Sequence, residues 1–153
     1  MLKLVLAVLT LSVAAYAQAK PVQIAPGQSV YVVAMKSNGN PDLAIEQKLK
    51  EEFEKQKAFK LATSLSSADF VFLMLIEYEY NQAIVAGIGM GSEDIKSATT
   101  FAVPVDTYKQ SKTDLDALRD QALWQHAENN GMWRTSGLPK KIAKQFHEQF
   151  KKR

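Results

Sequence analysis

Apolar residues recur along this chain in unbroken runs, in alternation, and at every third or fourth position. The first run, residues 4–15, is interrupted only by Thr10 and Ser12. It follows Lys3 and ends in two overlapping small-x-small triplets, Ala15-Tyr16-Ala17 and Ala17-Gln18-Ala19. A positive start, a short apolar middle and a small-residue end are the parts of a secretory signal peptide. The run is shorter than the ~20 residues of a membrane span. Cleavage is expected after Ala19, or alternatively after Ala17, which assigns residues 1–19 to export and 20–153 to one domain.

Residues 30–35 (Val-Tyr-Val-Val-Ala-Met) are apolar throughout and predict a strand buried on both faces. Asn40-Pro41-Asp42 then offers a cap, a first-turn Pro and an acid for the positive helix end. Ile45, Leu49 and Phe53 continue as one stripe of a helix to about residue 57. Glu46–Lys50 and Glu51–Lys55 give that helix a solvated outer face. Phe59 and Leu61 alternate with Lys60, predicting a short half-buried strand. Residues 70–76 form the longest uninterrupted strand pattern and are expected at the centre of the sheet. From Ile76 to Tyr80 the pattern alternates with Glu77 and Glu79, so one face should emerge into water. Residues 81–97 read as a flexible apolar loop or hairpin tip. Residues 98–105 read as a strand placed at an edge by Pro104, and residues 106–112 as a connection. Thr113 or Asp114 caps a helix expected to run to about residue 130, with Leu115, Leu118 and Ala122 inward. Pro139 opens a last helix carrying Leu138, Ile142, Phe146 and Phe150 on one side. The order β-α-β-β-β-α-α predicts an α+β domain, a small mixed sheet with helices packed on one face.

Composition narrows the class. With 46% hydrophobic and 23% charged residues, 7 Gly and 5 Pro, the chain is neither disordered nor fibrous. It has no Cys, so an exported product would be held by its core, without disulfides and without a lipid-bearing Cys after the signal peptide. The expected product is soluble, periplasmic or extracellular. The formal charge is +3, but its distribution matters more. Residues 138–153 carry six Lys and Arg against one acid, whereas residues 20–137 are slightly acidic. Lys140, Lys141, Lys144, Lys151 and Lys152 therefore form a candidate contact for an anionic membrane surface. Basic residues without aromatic partners on that face argue against nucleic-acid recognition.

The helix run Leu-Lys-Glu-Glu-Phe-Glu-Lys (residues 49–55), the Phe-Lys-Leu strand (59–61) and Ser67-Ala68-Asp69 before a long apolar strand resemble small bacterial envelope domains. The pattern, over residues 30–80, is similar to the amino-terminal domain of TolB and to accessory domains of curli secretion and lipopolysaccharide assembly. That resemblance implies a non-enzymatic role in assembling or bridging envelope components, with no catalytic residues or cofactor.

Individual motifs add little chemistry. Gly87-Ile88-Gly89-Met90-Gly91 lacks the third glycine of a dinucleotide loop, because Ser92 follows, and has no Gly-Lys-Ser/Thr. No cofactor is expected. Ile84, Val85, Gly87, Ile88, Gly89 and Met90 instead form a candidate partner-binding loop, because apolar residues are costly to leave in water. Glu77 and Glu79 lie one strand repeat apart, ~7 Å, and supply the alternative reading, a small secreted hydrolase with a carboxylate pair. His126 and His147 have no ligand partners in sequence and are expected at the surface, and no metal site is expected. Trp133 with Arg134 is either an interface anchor or a core plug. The expected partner is an envelope or secreted protein.

Overall fold

The computed structural model describes residues 23–112, 114–129 and 137–151. Ala17, Ala19 and the rest of the expected signal peptide, Trp133, Arg134 and Lys152 lie outside them. The elements are β1 (Ser29–Lys36), α1 (Leu43–Gln56), β2 (Lys60–Leu61), a 3-10 turn (Leu65–Ser67), β3 (Phe70–Val85), β4 (Ile88–Pro104), α2 (Val105–Ser111), α3 (Leu115–Asp120), β5 (Trp124–Asn129) and α4 (Leu138–Lys151). They build one mixed sheet in the order β2-β1-β3-β4-β5. β1 runs parallel to β2 and β3, and the β3–β4 and β4–β5 pairs are antiparallel. The α+β class and the central place of residues 70–76 are as expected.

The inner half of β3 is apolar at every position from Phe70 to Ile76, so both faces of the sheet there need cover. Phe70, Phe72, Met74 and Ile76 face α1 and α4 together with Val30, Val32, Leu49, Phe53, Ile142 and Phe146. Val71 and Leu73 face the other way, with Val33, Phe101, Val103, Tyr108 of α2 and Leu118 of α3. The two long helices therefore share one face as expected, but two short helices seal the second. Six of the seven phenylalanines lie in the first cluster. Edge-to-face pairs such as Phe53–Phe72 and Phe72–Phe146, each with centroids 5.0 Å apart, order it.

Four sequence expectations are corrected. The helix expected over residues 113–130 is α3 followed by strand β5. Asp114 caps α3, accepting from the backbone N–H of Asp116 and Ala117. Continuing the stripe of Leu115, Leu118 and Ala122 would bury Gln125 and Asn129. Strand alternation instead exposes Gln125, Ala127 and Asn129 and half-buries Trp124, His126 and Glu128. β5 in turn covers β4 up to Ala102, so β4 is not an edge strand, and Pro104 sits beyond that pairing, where no ladder donor is needed. The expected connection at 106–112 contains α2, whose Thr107 and Tyr108 are buried.

His147 is the fourth. Placed at the surface by its lysine-rich neighbours, it is fully buried. Its ring lies edge-on to Phe53 with centroids 4.4 Å apart, and its Nδ1 bonds the Ala143 carbonyl at 2.6 Å. Its Nε2 has no partner. Burial pushes the imidazole pKa down from 6.5, outweighing the Ala143 bond; Glu52 and Lys151 are the charged groups acting on it. Protonation therefore favours the unfolded chain. Stability is full above the unfolded-state value near 6.5 and falls as pH drops below it toward the lower folded value. The carboxylates held low, Glu77 and Glu128, act only in a more acidic range. We expect the melting temperature to fall between pH 7 and pH 5, and to fall less in His147→Met. An equal fall in both proteins would show that His147 does not carry the effect.

Candidate functional site

β3 and β4 are far longer than the sheet they belong to. β1 stops pairing with β3 at Ile76, and β5 stops pairing with β4 at Ser97. Beyond those points the two strands continue as a ribbon, from Tyr78 opposite Ile95 to Val85 opposite Ile88. Eight residues of strand give the ribbon a reach of roughly 27 Å. The loop expected at 81–97 is therefore a hairpin, the second of the two forms its sequence allowed. Ala86 and Gly87 form the turn, both with positive φ (53° and 76°), the geometry of tight two-residue hairpins.

The ribbon leaves the sheet at a bulge. Glu77 pairs with Ser97 and Tyr78 with Ile95, leaving Lys96 as the extra residue. Lys96 Nζ bonds Glu77 at 2.9 Å, and Ser97 Oγ bonds the same carboxylate at 3.2 Å. On the α1 side, Tyr78 donates its hydroxyl to Asp42, which also caps α1 by accepting from the Ile45 N–H at 3.2 Å. The helix thus starts from Asp42 rather than Asn40, and Pro41 bridges to Met35. Burial first, then the Asp42 bond, raises the Tyr78 phenol well above its usual pKa, so it stays a donor. Lys36 Nζ lies 5.2 Å above the Tyr78 ring and 3.8 Å from Glu93 of β4. The base of the ribbon is thus braced on both sides.

Charge and exposure change along the ribbon. Residues 77–80 and 93–96 contribute Glu77, Glu79, Glu93, Asp94 and Lys96, whereas residues 81–92 contain no charged side chain. Tyr80 and Ile88 are among the most exposed large hydrophobics, at 70% and 68%. Tyr80 lies across Gly91, where a Cβ would clash with its ring and hydroxyl. Of the candidate loop residues, Gly87, Ile88 and Gly89 are exposed at the tip, and Ile84, Val85 and Met90 hold ladder positions opposite Gly89, Ile88 and Ala83.

The remaining candidates are not brought together. Glu77 lines a groove of about 410 Å³ at the foot of the ribbon, with Lys36, Ser37, Leu75, Ser97, Thr99 and Lys112. The Lys96 bond and then the Ser97 bond hold its carboxyl below the ordinary range, the reverse of what a general acid needs. Glu79 is not among the residues lining the groove. On α4, Lys140 and Lys144 are exposed, but Lys141 bonds Glu128 of β5, and Lys151 bonds Gln56 of α1 at 2.6 Å. Lys141, and then His126 at 3.1 Å, hold the Glu128 carboxyl low. Two of the lysines expected to face a membrane thus clasp the helix to its neighbours. Among the described residues, no helix is long and apolar enough to cross a membrane.

Removing the Tyr78 hydroxyl tests the brace. Tyr78→Phe loses a hydrogen bond to a charged acceptor, typically ~1.5–3 kcal/mol. Its amides at 79–94 should exchange faster while those of residues 70–76 stay protected. Unchanged exchange along the ribbon would show that Asp42 does not hold it.

No family model matches the sequence, and no curated protein matches it. Solved structures that align with it include two of PelC dodecamers from Paraburkholderia phytofirmans, one of them a point variant. Both are 14% identical over 84% of this chain, covering 88% and 89% of theirs, with TM-scores of 0.44 and 0.45. Likeness at that level carries no functional argument.

Proposed function

We propose that this chain is an exported, non-enzymatic accessory protein of the cell envelope or secreted space, and that its ribbon is the element that contacts a protein partner. The observation that carries this is the ribbon itself. A two-stranded ribbon without a packed face is marginal in water, yet this one is anchored by a bulge and by Asp42, and ends in an uncharged tip with Ile88 exposed. Scaffolded segments of this kind carry binding more often than packing. The secretory pattern of residues 1–19 and the resemblance of residues 30–80 to envelope accessory domains support the compartment. The ion-paired Glu77 offers no acid for the hydrolase alternative.

Affinity capture from envelope extracts tests the reading, with the mature protein beside a variant carrying a Gly/Ser loop at residues 84–90 and beside Ile88→Glu. Ile88 is exposed, so Ile88→Glu should keep the wild-type melting temperature. It should weaken partner binding about tenfold or more, as loss of a central apolar anchor does. Equal capture by all three proteins overturns the ribbon as the contact. In the same cells, amino-terminal sequencing of the exported protein should start at Lys20, or at Gln18 for the earlier cleavage; a chain still starting at Met1 overturns export.

A further inference from the structure

We infer that the partner the ribbon is built to meet is a second copy of this chain, paired antiparallel through the free edge of β3 at residues 81–85. This rests on the reading of the ribbon as a binding element and names its occupant.

Three observations lead there. First, the other edges of the sheet are guarded and this one is not. β2 has two residues, one of them Lys60, and β5 carries His126 and Glu128. Short edge strands and charges are the usual defences against edge pairing. Residues 81–85, Asn-Gln-Ala-Ile-Val, have neither defence, and among the described residues no strand lies on that side of them. Second, an uncharged stretch meets its own copy without like-charge repulsion, and within the ribbon that stretch is residues 81–92. Third, the two edges of the ribbon are unequal. The β4 edge has glycine at 89 and 91, which weakens strand pairing, whereas the β3 edge has β-branched Ile84 and Val85.

The charge pattern also selects the symmetry. Ribbons set side by side and pointing the same way would place the acids of every base, Glu79, Glu93 and Asp94, against those of the next. A two-fold axis at Ala83 overlaps only the tips. It pairs position 81 with 85 and 82 with 84, and it satisfies both edges with the same backbone groups. The two Glu79 residues then lie roughly 27 Å apart along the strands, well beyond the ~8 Å screening length at physiological salt.

The absence of Cys from the chain makes the test direct. The full mature chain carrying Ala83→Cys should oxidise to a covalent dimer, because position 83 faces its own mate, while Ser92→Cys on the other edge should not. In sedimentation equilibrium the unmodified protein should self-associate as concentration rises. Ala83→Lys should weaken that association about tenfold or more at low salt by opposing two ammonium groups, and Ser92→Lys should leave it unchanged. Reduced Ala83→Cys melting as the unmodified protein does shows that it folds. A monomer at every concentration, or equal crosslinking at 83 and 92, overturns the inference. If the monomer still captures a different protein through residues 84–90, the ribbon remains a binding element and only the second copy is wrong. If nothing is captured and no dimer forms, both readings fall.

Discussion

A single strand governs this molecule: β3, apolar at every inner position from Phe70 to Ile76. In a sheet, seven consecutive apolar residues present hydrophobic side chains on both faces, and neither can be left in water. That requirement accounts for the two unequal covers. The larger is the aromatic layer made with α1 and α4, where six phenylalanines and a buried histidine interlock. The smaller is the patch closed by Tyr108 and Leu118. That centre, covered on both faces, carries the same pair of strands beyond the sheet.

Much of this was legible in the sequence because it depends on long, regular patterns. The strand at 30–35, the stripe Ile45-Leu49-Phe53, the central run 70–76 and the stripe Leu138-Ile142-Phe146-Phe150 were all readable from periodicity, and each is where it was expected. The failures are local and physical. Strand β5 hides behind α3 because Leu115, Leu118 and Ala122 keep a helical rhythm up to the residue where the strand begins. Only the cost of burying Gln125 and Asn129 separates the two readings. α2 is seven residues long, too short for a moment to show. The second-face cover was implied by the apolar run itself, since Val71 and Leu73 needed partners; Leu118 of α3 was placed inward by its periodicity, whereas Tyr108 of α2 was not.

The candidate site divides the same way. The apolar glycine-rich stretch was readable as a hairpin tip, one of its two expected forms, but its form as a braced ribbon was not. The brace depends on pairs distant in sequence: Asp42 with Tyr78, Lys36 with Glu93, and Lys96 with Glu77 across a bulge. His147 shows the opposite limit. Lys144 and Lys151 flank it in the sequence and suggested a polar face, yet the position one residue after Phe146 still falls within the buried arc when the helix lies in an aromatic layer wide enough to reach it.

Asp42 ties the two halves of the molecule together. Its carboxylate caps α1 and accepts from Tyr78 at the first position of the ribbon. The direction of the ribbon and the start of the helix are therefore set by one buried side chain. On the opposite side of the strands the bulge places Lys96 against Glu77, so the ribbon is held from both faces at the level where its apolar support ends. Beyond Tyr80 on one strand and Glu93 on the other the charged residues stop, and the backbone edges open. A fold that needed only a hairpin to connect β3 to β4 could have turned soon after Ile76. Sixteen further residues of paired strand, held at their base by three side-chain pairs and ending without charge, go well beyond what joining β3 to β4 requires.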